Sequence, residues 1–416
     1  MKEKKRVVIT GMGLVSCFGN DLDLFYQSLL AGKSGVSPIA AFPCGEFPTR
    51  FAAWIRDFDA EELIEKKQAR RIDRSIAYTL VAGKKALAHA GFVQGALDKL
   101  EKSRAGVLIG SGMGGMTVYN DGVLTLKERG HRRLTPFFVP YILTNIGSAM
   151  LAMECGFMGP NYSISTACAT SNYCIINAAR HIQSGEADLM LCGGAEAPIL
   201  PIGLAGFCAI KALSERNENP EEASRPWDRN RDGFVLGEGC GVLVLESLEH
   251  ATRRGAAILA EYKGGGTSCD ASHITEPRED GKGIALCVER ALEDAGLSAS
   301  DLNFVSAHAT STPAGDMAEV RALKRVLPSP SRVKMNATKS MIGHSLGAAG
   351  ALEAIATALA IKTGKIHGTI NLQDPEPDLE FDVPSVSESY RVEAALSNSF
   401  GFGGHNASLI LSRFHA

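Results

Sequence analysis

Along the chain, short runs of aliphatic and β-branched residues alternate with longer stretches whose apolar positions recur every three or four residues. The short runs predict strands at "RVVIT" (6–10), "AGVLIG" (105–110), "YSIS" (162–165), "ADLMLC" (187–192), "GVLVLE" (241–246), "NFVSAH" (303–308), "VKMNA" (333–337), "AALSN" (394–398) and "SLILS" (408–412). Between several of them, segments such as "AYTLVAGKKALAHAG" and "GIALCVERALEDAG" carry helical spacing and end at glycine, which takes the left-handed stop conformation without steric cost. Alternating strands and helices predict an α/β protein.

The pattern runs through the chain twice. "AGVLIGSGMGG" precedes "YSISTACATSNYCIINAARHI", and "GEGCGVLVLESLE" follows; later "LNFVSAHATST" precedes "VKMNATKSMIGHSLGAAGALEAIATAL", and "ALSNSFGFGGHNASLILSR" follows. This order predicts two similar halves, residues 1–255 and 256–416. If they pack by pseudo-twofold symmetry, their equivalent loops converge on one site.

Composition narrows the class. A chain of 416 residues that is 45% hydrophobic and 21% charged buries a large core. Its net charge of −3 gives no global reason to bind nucleic acid, so any charge argument is local. Ten cysteines without a C-x-x-C pair suit a reducing compartment and suggest no metal site. The stretch "LMLCGGAEAPILPIGLAGFCAIKAL" is broken by Glu196, Pro198 and Pro201, and no membrane span is expected from it. Neither "GSGMGG" nor "TGMGLVS" completes a dinucleotide fingerprint.

Cys168 lies between Ala167 and Ala169, at the passage from "YSIS" to a helical pattern that stops at Gly185. Main-chain N–H groups and the positive end of the helix dipole would face its sulfur, lowering the thiol pKa and offering donors to an oxyanion. Buried cysteine is also a common small hydrophobe, and the other nine cysteines take that reading. Of the histidines, His308 and His344 sit at strand-to-helix crossings, where α/β folds place their sites. Seven others, His367 among them, occupy contexts that predict surface positions. Asp316 and Glu319 suggest a capping box for the helix after His308. Glu353 falls in an otherwise apolar run and needs a buried partner, with Lys339 or a histidine on the same loop the nearest candidate in sequence.

"STACATS" around Cys168, "HATSTPAGD" from His308, "TKSMIGHSLGAAG" from Thr338 and "NSFGFGGHN" from Asn398 together resemble the β-ketoacyl-acyl carrier protein synthases of the I/II type. The resemblance covers nearly the whole chain. It implies a thiolase-like fold, an α-β-α-β-α layered sandwich, in a homodimer. It further implies a decarboxylating Claisen condensation of an acyl thioester with malonyl-acyl carrier protein, giving 3-oxoacyl-acyl carrier protein and CO2. Cys168 would carry the acyl group, and the N–H groups of Cys168 and Phe400 would form the oxyanion hole. His308 and His344 would stabilise the enolate, while Lys339, coupled to Glu353, would hold the network electrostatically. Thr310 and Thr312 would bind the pantetheine arm, and Phe400 would gate entry. The acidic carrier protein would dock on Lys66, Lys67, Arg70 and Arg71 and on Lys211 and Arg216.

The resemblance calls for no cofactor beyond the 4'-phosphopantetheine brought by the carrier, and no metal, nucleic acid or membrane. "HAT" in place of the more frequent "HGT", and "HN" at 405–406, give a plant-like cast, while "STPAGD" leans to type II. With no transit peptide ahead of "MKEKKR", a bacterial cytoplasmic protein is expected, and a mature organellar one is the alternative. The competing readings are a catalytically silent chain-length-factor-like subunit and a thiolase acting on coenzyme A esters. All three catalytic residues are present, and no cysteine follows Cys287, which weighs against both.

Overall fold

The computed structural model describes residues 4–93 and 95–415. Nine strands form one sheet: β1 (Val7–Val15), β2 (Ala105–Gly110), β3 (Leu189–Glu196), β4 (Gly239–Ser247), β5 (Ala260–Cys269), β6 (Phe304–Ser306), β7 (Lys334–Asn336), β8 (Ala394–Gly401) and β9 (His405–Ser412). Their spatial order is β2-β3-β4-β1-β5-β9-β8-β6-β7. Read outward from the antiparallel β1–β5 junction, the two sides match: β4 with β9, β3 with β8, β2 with β6. Opposite β7 the first half has only a single parallel bridge, Val107 to Asn161. The strand expected at "YSIS" is therefore not formed; beyond that bridge the backbone runs on toward the Cys168 turn without pairing.

Six helices complete the layers: α1 (Arg74–His89), α2 (Ile146–Cys155), α3 (Thr170–Gln183), α4 (Lys282–Ala295), α5 (Pro313–Val326) and α6 (Ala349–Thr363). α1 and α2 cover the outer face of the first half-sheet, and α4 and α5 that of the second. α3 and α6 lie between the two half-sheets and touch both, which gives the α-β-α-β-α order. Because α6 is enclosed on all sides, it is apolar all round; Leu346–Thr363 matches a membrane span in length and composition, yet nearly all of it is buried in the protein. Gly350 lets the two central helices meet: a β-carbon there would lie 2.4 Å from the Asn172 side-chain oxygen.

One central strand escapes the hydrophobic pattern. β5 reads "AEYKGGGTSC", and its glycine triplet looks like a loop. Helices pack onto both faces of the triplet. A β-carbon on Gly266 would stand 2.1 Å from the Cys287 carbonyl oxygen of α4, and one on Gly265 2.5 Å from Ile176 of α3. The glycines serve the packing of the layers, not flexibility.

Candidate active site

Cys168 stands in a one-turn 3-10 helix, Ala167–Ala169, that runs straight into α3. Ala167 has φ +49°, a left-handed conformation that a β-carbon disfavours, so the turn that carries Cys168 stores backbone strain. Gly401, the last residue of β8, presses on this turn from the other half. A β-carbon there would lie 2.6 Å from the Thr166 carbonyl oxygen and 3.0 Å from the Cys168 nitrogen.

The thiol is buried, and burial pushes its pKa up to about 12. The Lys339 charge and the N–H groups of Phe402 and Cys168 pull it down, while Glu196 adds to the rise. The sequence suggested a lowered thiol pKa at a helix start; in the fold, desolvation outweighs the donors, and the resting group is a thiol.

Cys168, His308, His344, Phe400, Thr310 and Thr312 line one cavity of about 250 Å³. The two imidazole rings are nearly perpendicular, with centroids 5.3 Å apart, and Phe400 packs 5.5 Å from His308. Both imidazoles are held well below their usual range by burial first and then by the Lys339 charge, so both are neutral at pH 7. Thr310 and Thr312 share a hydroxyl hydrogen bond of 3.0 Å at the wall.

The main chain around each histidine is fixed by buried partners. His308 and Ala309 donate their N–H groups to the Glu319 carboxylate at 3.0 and 2.9 Å, and the Asn398 amide donates to it at 2.9 Å. His344 donates its N–H to the Val235 carbonyl at 2.7 Å, and its own carbonyl accepts from Gly237 at 2.9 Å. The expected Asp316–Glu319 capping box does not form. α5 opens on Pro313, and Asp316 instead accepts from the Ser311 and Thr312 N–H groups and pairs with Arg231 at 3.1 Å. The loop ahead of α5 is buried, and its amides take up the carboxylates.

Lys339 and Glu353 form an ion pair with both side chains buried, outside the lining of the cavity. Burial pushes the Glu353 carboxyl up and Lys339 opposes it. Their reach to the reacting atoms is through the electrostatic field, as the Lys339 influence on Cys168 and both histidines illustrates.

Lys66, Lys67, Arg70 and Arg71 are exposed on one segment, whose helix spans only Lys66–Ala69. Lys211 is exposed beside Ile210 and Ala212, which line the cavity. Arg216 is half-buried and committed elsewhere: it donates to the Asn230 carbonyl at 2.5 Å and lies 3.6 Å from Asp232. His367, expected at the surface, is buried, with a ring nitrogen 3.0 Å from the Thr338 hydroxyl next to Lys339. Glu196 and Glu319 are buried carboxylates that the sequence argument did not assign to the site. Glu196 sits in an apolar run, the signal that singled out Glu353, whereas Glu319 lies among charged residues and carries no such signal.

Residues 4–251 match the family described as Beta-ketoacyl synthase, N-terminal domain, and residues 259–373 match Beta-ketoacyl synthase, C-terminal domain. The chain is 60% identical over 412 residues to 3-oxoacyl-[acyl-carrier-protein] synthase I, chloroplastic, of Arabidopsis thaliana, covering 99% of this chain and 87% of the relative. It is 48% identical over 413 residues to 3-oxoacyl-[acyl-carrier-protein] synthase 2 of Vibrio harveyi, covering 99% of both. A solved structure described as a type II PKS acyl-carrier protein in complex with its ketosynthase superposes with a TM-score of 0.91 at 33% identity, covering 99% of this chain and 100% of that one. With the thiol, two imidazoles and lysine gathered across two matching halves, the chain belongs to the β-ketoacyl synthase family.

Proposed function

We propose that the protein is a 3-oxoacyl-acyl carrier protein synthase that lengthens fatty acyl chains by decarboxylating condensation. The carrying observation is that Cys168, His308 and His344 line one cavity while Gly401 packs against the nucleophile's own N–H. The Cys168 sulfur attacks the acyl thioester carbon, the carrier's thiolate departs with the thiol proton, and the acyl group stays on sulfur. Malonyl-acyl carrier protein then loses CO2, and the bond electrons pass to the thioester carbonyl as an enolate. Neutral imidazoles of His308 and His344 donate N–H hydrogen bonds to that oxyanion, so no external base is needed. The enolate carbon attacks the acyl carbonyl, and Cys168 leaves as a thiolate that takes up a proton from solvent to restore the resting thiol. The N–H groups of Cys168 and Phe400 serve the tetrahedral oxyanion, and Thr310 and Thr312 hold the pantetheine arm. No cofactor of the enzyme's own enters this scheme.

The partner in this reading is an acidic acyl carrier protein, docked on Lys66, Lys67, Arg70, Arg71 and Lys211. The assembly is a homodimer, supported by the exposed apolar side chains Tyr119, Val123, Leu126, Phe137, Val139 and Met158 in the region around the Met116–Arg129 helix and the chain leading to Asn161. Bacterial cytoplasm and the interior of an organelle are the two candidate compartments, and the chloroplastic relative supports the second.

Mass measurement of the intact protein after incubation with acyl-carrier protein, followed by peptide mapping, tests the reading. An acyl mass on Cys168, absent in Cys168→Ala, is expected. No adduct from any acyl donor would favour a silent partner subunit.

A further inference from the structure

The nucleophile turn has a structural twin. In the second half, a one-turn 3-10 helix, Leu346–Ala348, runs into α6 as Ala167–Ala169 runs into α3, and Leu346 has φ +48° where Ala167 has +49°. Gly347 thus stands in the place of Cys168. The strands that cross over onto these turns also correspond. β3 and β8 each contain eight residues, ending at Glu196 and Gly401. Gly401 leaves the Cys168 N–H turn without a side chain on it. At the twin turn the counterpart, Glu196, places a carboxylate on the N–H.

That carboxylate is fully buried and is held by donors alone. One oxygen accepts from the Ser111 hydroxyl at 2.8 Å and the Met113 N–H at 3.0 Å; the other accepts from the N–H groups of Gly112 at 2.9 Å and Gly347 at 3.0 Å. Three of the four partners are main-chain N–H groups that can only donate, and all four oppose the rise in the carboxyl pKa that burial causes, so the cradle favours the anion. Gly112 and Gly347 have no room for a β-carbon, which would lie 2.9 and 2.5 Å from the Glu196 oxygen. No cation pairs with Glu196 among the described residues. Resting on the function proposed above, we infer that Glu196 is a positioning residue: its carboxylate permanently fills the anion cradle of the twin turn and so fixes the segment that follows His344 against the nucleophile's half.

The test is chemical rescue. Glu196→Ala empties a space the size of acetate, and kcat for condensation should fall about 30- to 100-fold with KM for the acyl donor within about twofold, in the range of losing one preorganised electrostatic contact. Added acetate should restore kcat to within about threefold of the parent, while acetamide, which cannot accept on both ends, should not. Alkylation of Cys168 should also quicken at neutral pH in the unrescued variant and slow again with acetate, because a negative charge near the sulfur returns. Equal rescue by acetamide, absence of rescue in a folded variant, or an unchanged kcat would each overturn the inference. If Glu196→Ala does not fold, Ser111→Ala withdraws one of the four donors and should lower kcat about threefold; parental kcat there overturns it too. Loss of condensation by the parent protein would instead strike the proposed function.

Discussion

The turns at Cys168 and Gly347 share backbone geometry and differ in what occupies the space above them. At Cys168 the opposing strand ends in glycine, and the turn lies at the cavity that Cys168, His308 and His344 line. At Gly347 the opposing strand ends in glutamate, and the amide is filled from within. In the proposed function, one scaffold supplies both an oxyanion site and a brace, and a single side chain at the strand end separates them. The difference also bears on the electrostatics: the Glu196 carboxylate sits on the twin turn, where it raises the Cys168 thiol pKa without lining the cavity.

The sharpest way to separate the roles on the two sides is His344→Ala. Malonyl decarboxylation should fall about 10³-fold while Cys168 still takes up an acyl group, because the imidazole acts on the second substrate. Loss of both steps, or of neither, in single-turnover assays would misplace the histidine. Gly401→Ala comes next. The new methyl meets the Cys168 nitrogen and the Thr166 carbonyl, and acylation should slow about 10²-fold, as for a displaced oxyanion donor. Acylation at the parental rate would remove Gly401 from the comparison.

Outside the junction, reversing charge at Lys67 and Arg71 should raise KM for carrier-linked substrates about five- to tenfold at low salt, and the effect should shrink as salt screens it. An unchanged KM would move the docking surface elsewhere. The smallest effect is on stability. Burial lowers the His367 pKa to about 4 from 6.5, so between those values the unfolded chain binds a proton that the native protein does not. Stability should fall as pH drops through that window, by up to about 1.4 kcal/mol per pH unit from this group, and be insensitive to it above 6.5. Thermal midpoints of His367→Asn should show a shallower slope than the parent; equal slopes would exclude His367.

What the sequence made legible depends on whether a residue's signal is local. Cys168, His308 and His344 lie in short stretches with distinctive neighbours, and the cavity brings them together. Strands β2, β4 and β9 announce themselves by compact runs of aliphatic residues. β5 does not, because its glycines answer to helices that are distant in the chain. "YSIS" has the composition of a strand, yet it gains no bridge of its own, the one nearby being at Asn161, since pairing depends on a neighbour that composition cannot name. Arg216 and the Asp316–Glu319 pair were misjudged for the same reason: their partners, Asp232, Arg231 and the loop amides, are set by the fold. The thiol pKa was misjudged because a helix start is visible in sequence and desolvation is not.

The enclosed α6 has a consequence during synthesis. Of its packing partners, α3 and β4 are made before it, whereas β8 and β9 lie within the last 53 residues of the chain, after Thr363. While those residues are still being translated, a segment with the length and apolarity of a membrane span has one face covered and the other bare. In the cell, the nascent chain therefore passes through a stage at which aggregation and misdirection to a bilayer compete with folding, and completion of the C-terminal hairpin ends it.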